Sequence, residues 1–185
     1  MLLLGASDLF VAPGGAPIAL LIAVTTPIAA FLAAVRISAS FREFVLGIDL
    51  RLITGIQAWR IGGFTFLALL VFGVLPGYFA WPAGLGDIAI GVTAPWILAA
   101  LIRRPGFAAS KTFVAWQAFG VLDLIVAVSL GSLGQRLLAA TAGTAPLTHL
   151  PLVLIPTFFV PLFVVLHIAA LFQARRFGGR VGGSA

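Results

Sequence analysis

The sequence predicts an all-α integral membrane bundle of five transmembrane helices. The N-terminus lies outside, the C-terminus is cytoplasmic, and an interfacial amphipathic helix sits between spans one and two. Three observations carry this. Hydrophobic residues fill 62% of the 185 positions and charged residues 9%, whereas soluble domains run at about half apolar and about a quarter charged. Five apolar segments approach the ~20 residues that cross a hydrocarbon core ~30 Å thick. The basic residues cluster between those segments on alternate sides.

The start, MLLLGASDLF, lacks a basic leading region and is interrupted by Asp8, so it reads as a poor signal peptide. The first span is the expected insertion signal. The spans fall at about 17–35, 59–77, 83–102, 112–133 and 151–172, each ending near Gly, Pro or Arg. The apolar part of span two, 61–75, is short unless Trp59, Arg60 and the turn residues join it.

Orientation follows from charge. Arg36, Arg42, Arg51 and Arg60 lie between spans one and two. Arg103, Arg104 and Lys111 lie between three and four, and Arg175, Arg176 and Arg180 follow five. Arg136 alone falls on the other side, a ratio of ten to one. The net charge of +6 therefore reports membrane topology, not nucleic-acid binding.

Residues 41–57 have their own pattern. Phe41, Phe44, Val45, Ile48, Leu52 and Ile56 recur at helical spacing, with Arg42, Glu43 and Asp49 elsewhere on the wheel. That predicts an amphipathic helix in the inner interface, bent at Gly47 or Gly55, which anchors span two or, alternatively, serves as a substrate gate or partner site. Between spans two and three, Pro76-Gly77 and Trp81-Pro82 both break helix, giving an antiparallel hairpin. Tyr78 and Trp81 are its headgroup-level aromatics, and Trp59 and Trp116 match them on the inner side. The outer loop, 134–150, carries Arg136, His149 and several threonines, and His149 receives no role.

Ionisable groups inside a bilayer face the bundle interior or a wet cavity. The spans offer Asp87, Asp123 and His167. At ~1.5 Å per residue, Asp87 falls ~6 Å below the outer boundary, Asp123 ~16 Å from the inner one, and His167 ~24 Å from the outer side. Desolvation disfavours a carboxylate at the depth of Asp123. No cation is expected at its level, because Arg60 lies near the inner edge and reaches back to water. Asp123 is thus the candidate proton carrier, with Asp87 at the outer mouth and His167 near the inner exit. The plainer alternative is a protonated Asp123 that only hydrogen-bonds a neighbouring helix.

Both aspartates sit in stripes of small residues, Gly84-Asp87-Gly91 and Gly120-Asp123-Ala127. Such stripes allow close helix approach, so the carboxyls are expected to face protein. AWPAGLGDIAIGV and AWQAFGVLDLIVAV also echo each other. Two explanations fit: an inverted repeat of the kind transporters use, or coincidence in a Gly/Ala-rich chain. In span five Pro156 and Pro161 deprive the carbonyls of Leu152 and Thr157 of their helical partners. Phosphate-binding loops and hydrolase or metalloprotease motifs are absent, as is cysteine. His167 alone makes no bis-histidine haem site without a second subunit, and no cofactor or metal is expected.

The run LPGYFAWPAGLGD, followed by VLDLIVAV and the membranous histidine, resembles small uncharacterised bacterial inner-membrane proteins with an LPxxFAxPAGxGD-type turn. The likeness covers spans two to five. It implies a multi-pass topology in the bacterial inner (plasma) membrane and attaches no activity. The expected function is proton-linked transport or permeation of a small or lipid-like molecule, with a homo-oligomer or partner membrane subunit completing the path. The alternatives are a membrane-embedded enzyme on an isoprenoid or lipid, with Asp123 as general acid, and an accessory subunit whose polar residues only dock helices.

Overall fold

A computed structural model describes residues 18–137 and 143–182, and its elements are all helical among those residues. Asp8 and part of the loop 134–150 lie outside the described residues. The helices are α1 (Ile18–Ile37), α2 (Ala39–Gly47), α3 (Leu50–Ile56), α4 (Phe64–Val71), α5 (Gly77–Arg103), α6 (Lys111–Leu137) and α7 (Val160–Gly182). A 3-10 segment, Gln57–Gly63, joins α3 to α4, and a π-helical turn, Ile155–Phe159, leads into α7.

Five stretches are long and apolar enough to cross a membrane: Ile18–Ile37, Leu50–Val71, Gly77–Arg103, Lys111–Gly134 and Ile155–Phe177. Their outward faces carry large apolar side chains such as Ile22, Val71, Trp96, Leu122 and Ile125, a surface suited to lipid. Only 17% of the apolar window of α1 is buried, against 44% for span five, so α1 is peripheral and α7 central.

Span two begins earlier than its hydropathy suggests. The amphipathic stretch 41–57 divides at Gly47: α2 stands alone, and everything from Leu50 belongs to the span. Asp49 ends the interruption by accepting the Arg51 N–H at 2.8 Å, which caps α3. The polar residues that disguise this segment turn into the protein and bond there. Thr54 bonds back to the Leu50 carbonyl at 2.8 Å, and Gln57 donates to the Phe163 carbonyl at 3.5 Å. α2 is held at both ends. Ser38 accepts the Phe41 N–H at 3.2 Å, and Gln173 donates to the carbonyls of Val45 and Ile48, each at 3.0 Å.

The hairpin between spans two and three is tighter than Trp81-Pro82 implies. Gly73, at φ 69°, reverses the chain after α4, and its N–H and that of Val74 close onto Leu70 and Leu69. α5 then starts at Gly77 behind the extended Pro76 and runs through Pro82 without ending. At its sixth helical residue that proline costs only the bond to the Tyr78 carbonyl. Burial of Phe79, Ala80 and Ala83 against Phe66 holds the turn in place. In span five Pro156 is absorbed similarly. The Leu152 carbonyl, which Pro156 cannot serve, takes the Ile155 N–H at 3.0 Å, and the wider turn lets Val160 N–H reach Ile155.

The apolar core is split. One cluster, with Phe66, Leu75, Phe79 and Leu147, fills the hairpin end. Another, with Val35, Val45, Ile53, Leu101, Phe113 and Ala170, fills the opposite end. A third, with Val24, Leu124, Val160, Phe163 and Val164, joins α1, α6 and span five.

Candidate functional site

Arg60 stands in the middle of the 3-10 segment and is 1% exposed. Its position corrects the expectation that it reaches water at the inner edge. Its Nε donates to Asp87 Oδ1 at 2.7 Å, and Nη2 donates to Asp123 Oδ2. Nη1 lies 3.1 Å from both the Gly120 carbonyl and His167 Nε2. The Phe163 ring centroid is 6.0 Å from the guanidinium carbon. One side chain from span two thus ties together α5, α6 and α7.

The three residues singled out from the sequence therefore meet at one level. Asp87 is ten residues into α5, ~15 Å deep, because that helix starts at Gly77 and not at 83. Asp123 is twelve residues into α6 and His167 twelve residues past Ile155, each ~18 Å. Asp123 is 8% exposed and the Asp87 side chain 18%.

Glycine makes this convergence possible. A Cβ at Gly91 would collide with the backbone at Ile61 and Arg60. One at Gly63 would meet Asp87 Cβ at 2.5 Å and the Gly84 carbonyl at 2.8 Å. On α6, a Cβ at Gly120 would enter the His167 ring, and one at Gly86 on α5 would strike the Asp123 carboxylate. The small-residue stripes do face protein, as their spacing required.

Hydrogen bonding sets the histidine tautomer. A guanidinium only donates, so Nε2 of His167 accepts and its proton sits on Nδ1, 2.5 Å from Gln117 Oε1. Trp116 packs edge-on against the imidazole at 5.7 Å between centroids and donates to Thr93 Oγ1 at 2.8 Å. Trp59, one residue before Arg60, turns an exposed ring outward at the tenth residue of the stretch Leu50–Val71.

Sequence reasoning missed Arg60 and Gln117 as members of the site. A signal for Arg60 was present: two buried carboxylates need a cation, and span two is short unless Arg60 is inside it. Gln117 carried a weaker one, lying three residues before Gly120 and so on the same helix face.

Asp87 also borders open space. A half-open cleft of about 210 Å³ lies between residues 59–66 and residues 155–163, lined by Trp59, Phe66, Phe159 and Phe163, with Arg60 and Asp87 as its charged groups. A smaller cavity of about 50 Å³ runs from Asp87 past Ser132 to Leu147.

The fold and this site define a multi-pass helical membrane protein built around a buried arginine–dicarboxylate cluster. The chain belongs to the family described as Domain of unknown function (DUF8737), whose model matches residues 17–175. No curated protein and no solved structure matches it.

Proposed function

We propose that this protein carries out proton-linked transport or permeation of a small or lipid-like molecule across the bacterial inner membrane. The observation that carries the reading is the sharing of one guanidinium by Asp87 and Asp123 midway along the spans. Two carboxylates against one cation leave a negative charge unmatched in a low-dielectric setting, and a proton is the simplest partner for it. Protonating either carboxyl removes one of the two ion pairs that hold Arg60. The 3-10 segment packed on α5 is then free to shift, since long 3-10 runs inside a helix commonly act as hinges. His167 holds the guanidinium, and it accepts a proton at Nε2 only once Arg60 leaves.

The remaining features fit. With Arg60 inside the protein, the flanking basic residues stand at nine to one, which supports an outside N-terminus and a cytoplasmic C-terminus. The short α2 then lies at the inner interface, with Phe44 exposed to lipid. The half-open aromatic cleft beside Asp87 is bordered by the exposed Trp59, which suits entry of an apolar molecule from the bilayer. A path this small calls for a second copy or a partner subunit.

The test uses purified protein in liposomes with an internal pH dye and an imposed potassium diffusion potential. Proton influx is expected for the native chain and is abolished by Asp123→Asn, which resembles the protonated carboxyl and leaves insertion intact. Native-level influx in Asp123→Asn removes the proposal.

The cleft also favours one second reading, an enzyme acting on an isoprenoid or lipid. Asp87 lines that cleft and Asp123 does not, so Asp87 would be its general acid. Lipid extracts made with and without the protein would then differ by a new mass.

A further inference from the structure

The end of the bundle away from the Gly73 turn holds the largest cavity described, about 370 Å³. Three arginines from three elements line it: Arg36 in the last turn of α1, Arg42 on α2 and Arg176 on α7. Its apolar wall is Val45, Leu46 and Phe172. A neighbouring cavity of about 200 Å³ shares Leu46 and Arg176 and extends to Phe177. Among the described residues the ion pair here is Arg176 Nη1 to Glu43 Oε2 at 3.2 Å, with both side chains well exposed. Such a pair holds weakly in solvent. One acid therefore faces three guanidinium groups, and the pocket keeps a net positive charge.

Depth makes the arrangement specific. Arg36 and Arg176 lie at the ends of two membrane-length helices, the level at which lipid phosphates sit. α2 crosses between those ends, so the basic groups surround a concave space with an apolar floor toward the bilayer.

We propose that this pocket binds the headgroup of an anionic phospholipid. The three guanidinium groups surround the phosphate, and the first acyl carbons lie along Val45, Leu46 and Phe172. Guanidinium suits this ligand because its planar fork donates two parallel hydrogen bonds to phosphate oxygens. Basic pockets between spanning helices are a recurring form of anionic-lipid site. The bound lipid clamps the α1–α2 pair to α7. The site is independent of the charged cluster around Arg60.

Native mass spectrometry of the full chain, delipidated in mild detergent and titrated with phosphatidylglycerol, phosphatidylcholine or inorganic phosphate, tests it. Phosphatidylglycerol is expected to bind at least tenfold more tightly than phosphatidylcholine, and inorganic phosphate not to displace it at equal concentration. Arg36→Ala combined with Arg42→Ala is expected to cost at least tenfold. Arg103→Ala with Arg104→Ala, which removes the same charge from the same end, is expected to leave binding unchanged. If the first double variant fails to fold, Arg42→Gln alone must still weaken phosphatidylglycerol binding while retaining the native helical circular dichroism. Equal losses in the two double variants would reduce the effect to diffuse charge. Displacement by inorganic phosphate would make it a free-anion site. No preference for phosphatidylglycerol, or undiminished binding in Arg42→Gln, would overturn the proposal outright.

Discussion

Arg60 Nη1 lies 3.1 Å from His167 Nε2, and the arginine can only be the donor. The imidazole is therefore a neutral acceptor that fixes the guanidinium from α7, while Gln117 fixes the imidazole from α6. A buried cation is tolerated here because every neighbour offers it lone pairs: two carboxylates, a carbonyl and a ring nitrogen. Unpaired, the same charge would cost several kcal/mol to bury.

The tautomer is a direct prediction. Nitrogen-15 spectra of histidine-labelled protein at pH 7.5 should show His167 with its proton on Nδ1, the less common form in water. Arg60→Leu removes the donor from Nε2 and should shift the ring toward the Nε2–H tautomer.

Arg60→Leu should also destabilise the fold by about 3–5 kcal/mol, because it strands two buried carboxylates. Denaturation in mixed detergent micelles measures the loss. Infrared spectra of the same variant should gain protonated-carboxyl bands. Adding Asp87→Asn and Asp123→Asn should return most of the stability, since a neutral interior carries no stranded charge. Persistent loss in the triple variant would assign the effect to packing instead.

Glycine substitutions separate close approach from helix propensity. Gly91→Ala drives a methyl into the span-two backbone and should cost about 1–3 kcal/mol. Gly47→Ala meets nothing within 4 Å and should be neutral or slightly stabilising, as alanine is the better helix former. Thermal midpoints in one detergent decide between them, and equal shifts would contradict the packing described.

Gln173 is the tie between α7 and α2. Gln173→Leu leaves the Val45 and Ile48 carbonyls without their donor and should cost about 1–3 kcal/mol. Hydrogen exchange should accelerate in α2 while the amides of α5 keep their protection.

The elements that the sequence displayed best were those whose apolar runs are uninterrupted. Span one needed no tertiary help to be seen, and spans three, four and five shifted only at their ends. Span two begins earlier than expected because Thr54, Gln57 and Arg60 lower its hydropathy, and nothing along the chain reveals that the distant Phe163 carbonyl and two aspartates accept from Gln57 and Arg60. The same blind spot separated the site residues in depth. Starting span three at Ala83, behind the helix-breaking Pro82, lifted Asp87 toward the surface, whereas packing on Phe66 carries the helix through that proline and lowers it.

Composition and charge order alone thus determined that this is a five-span helical protein with acids and a histidine inside it, because length and hydropathy are properties of single segments. That Asp87, Asp123 and His167 form one cluster, and that Arg60 is its centre, was decided only in three dimensions. A buried charge is stable or costly according to what neighbouring helices place against it, and the stripe of glycines that brings those helices together acts across the fold, not along the chain.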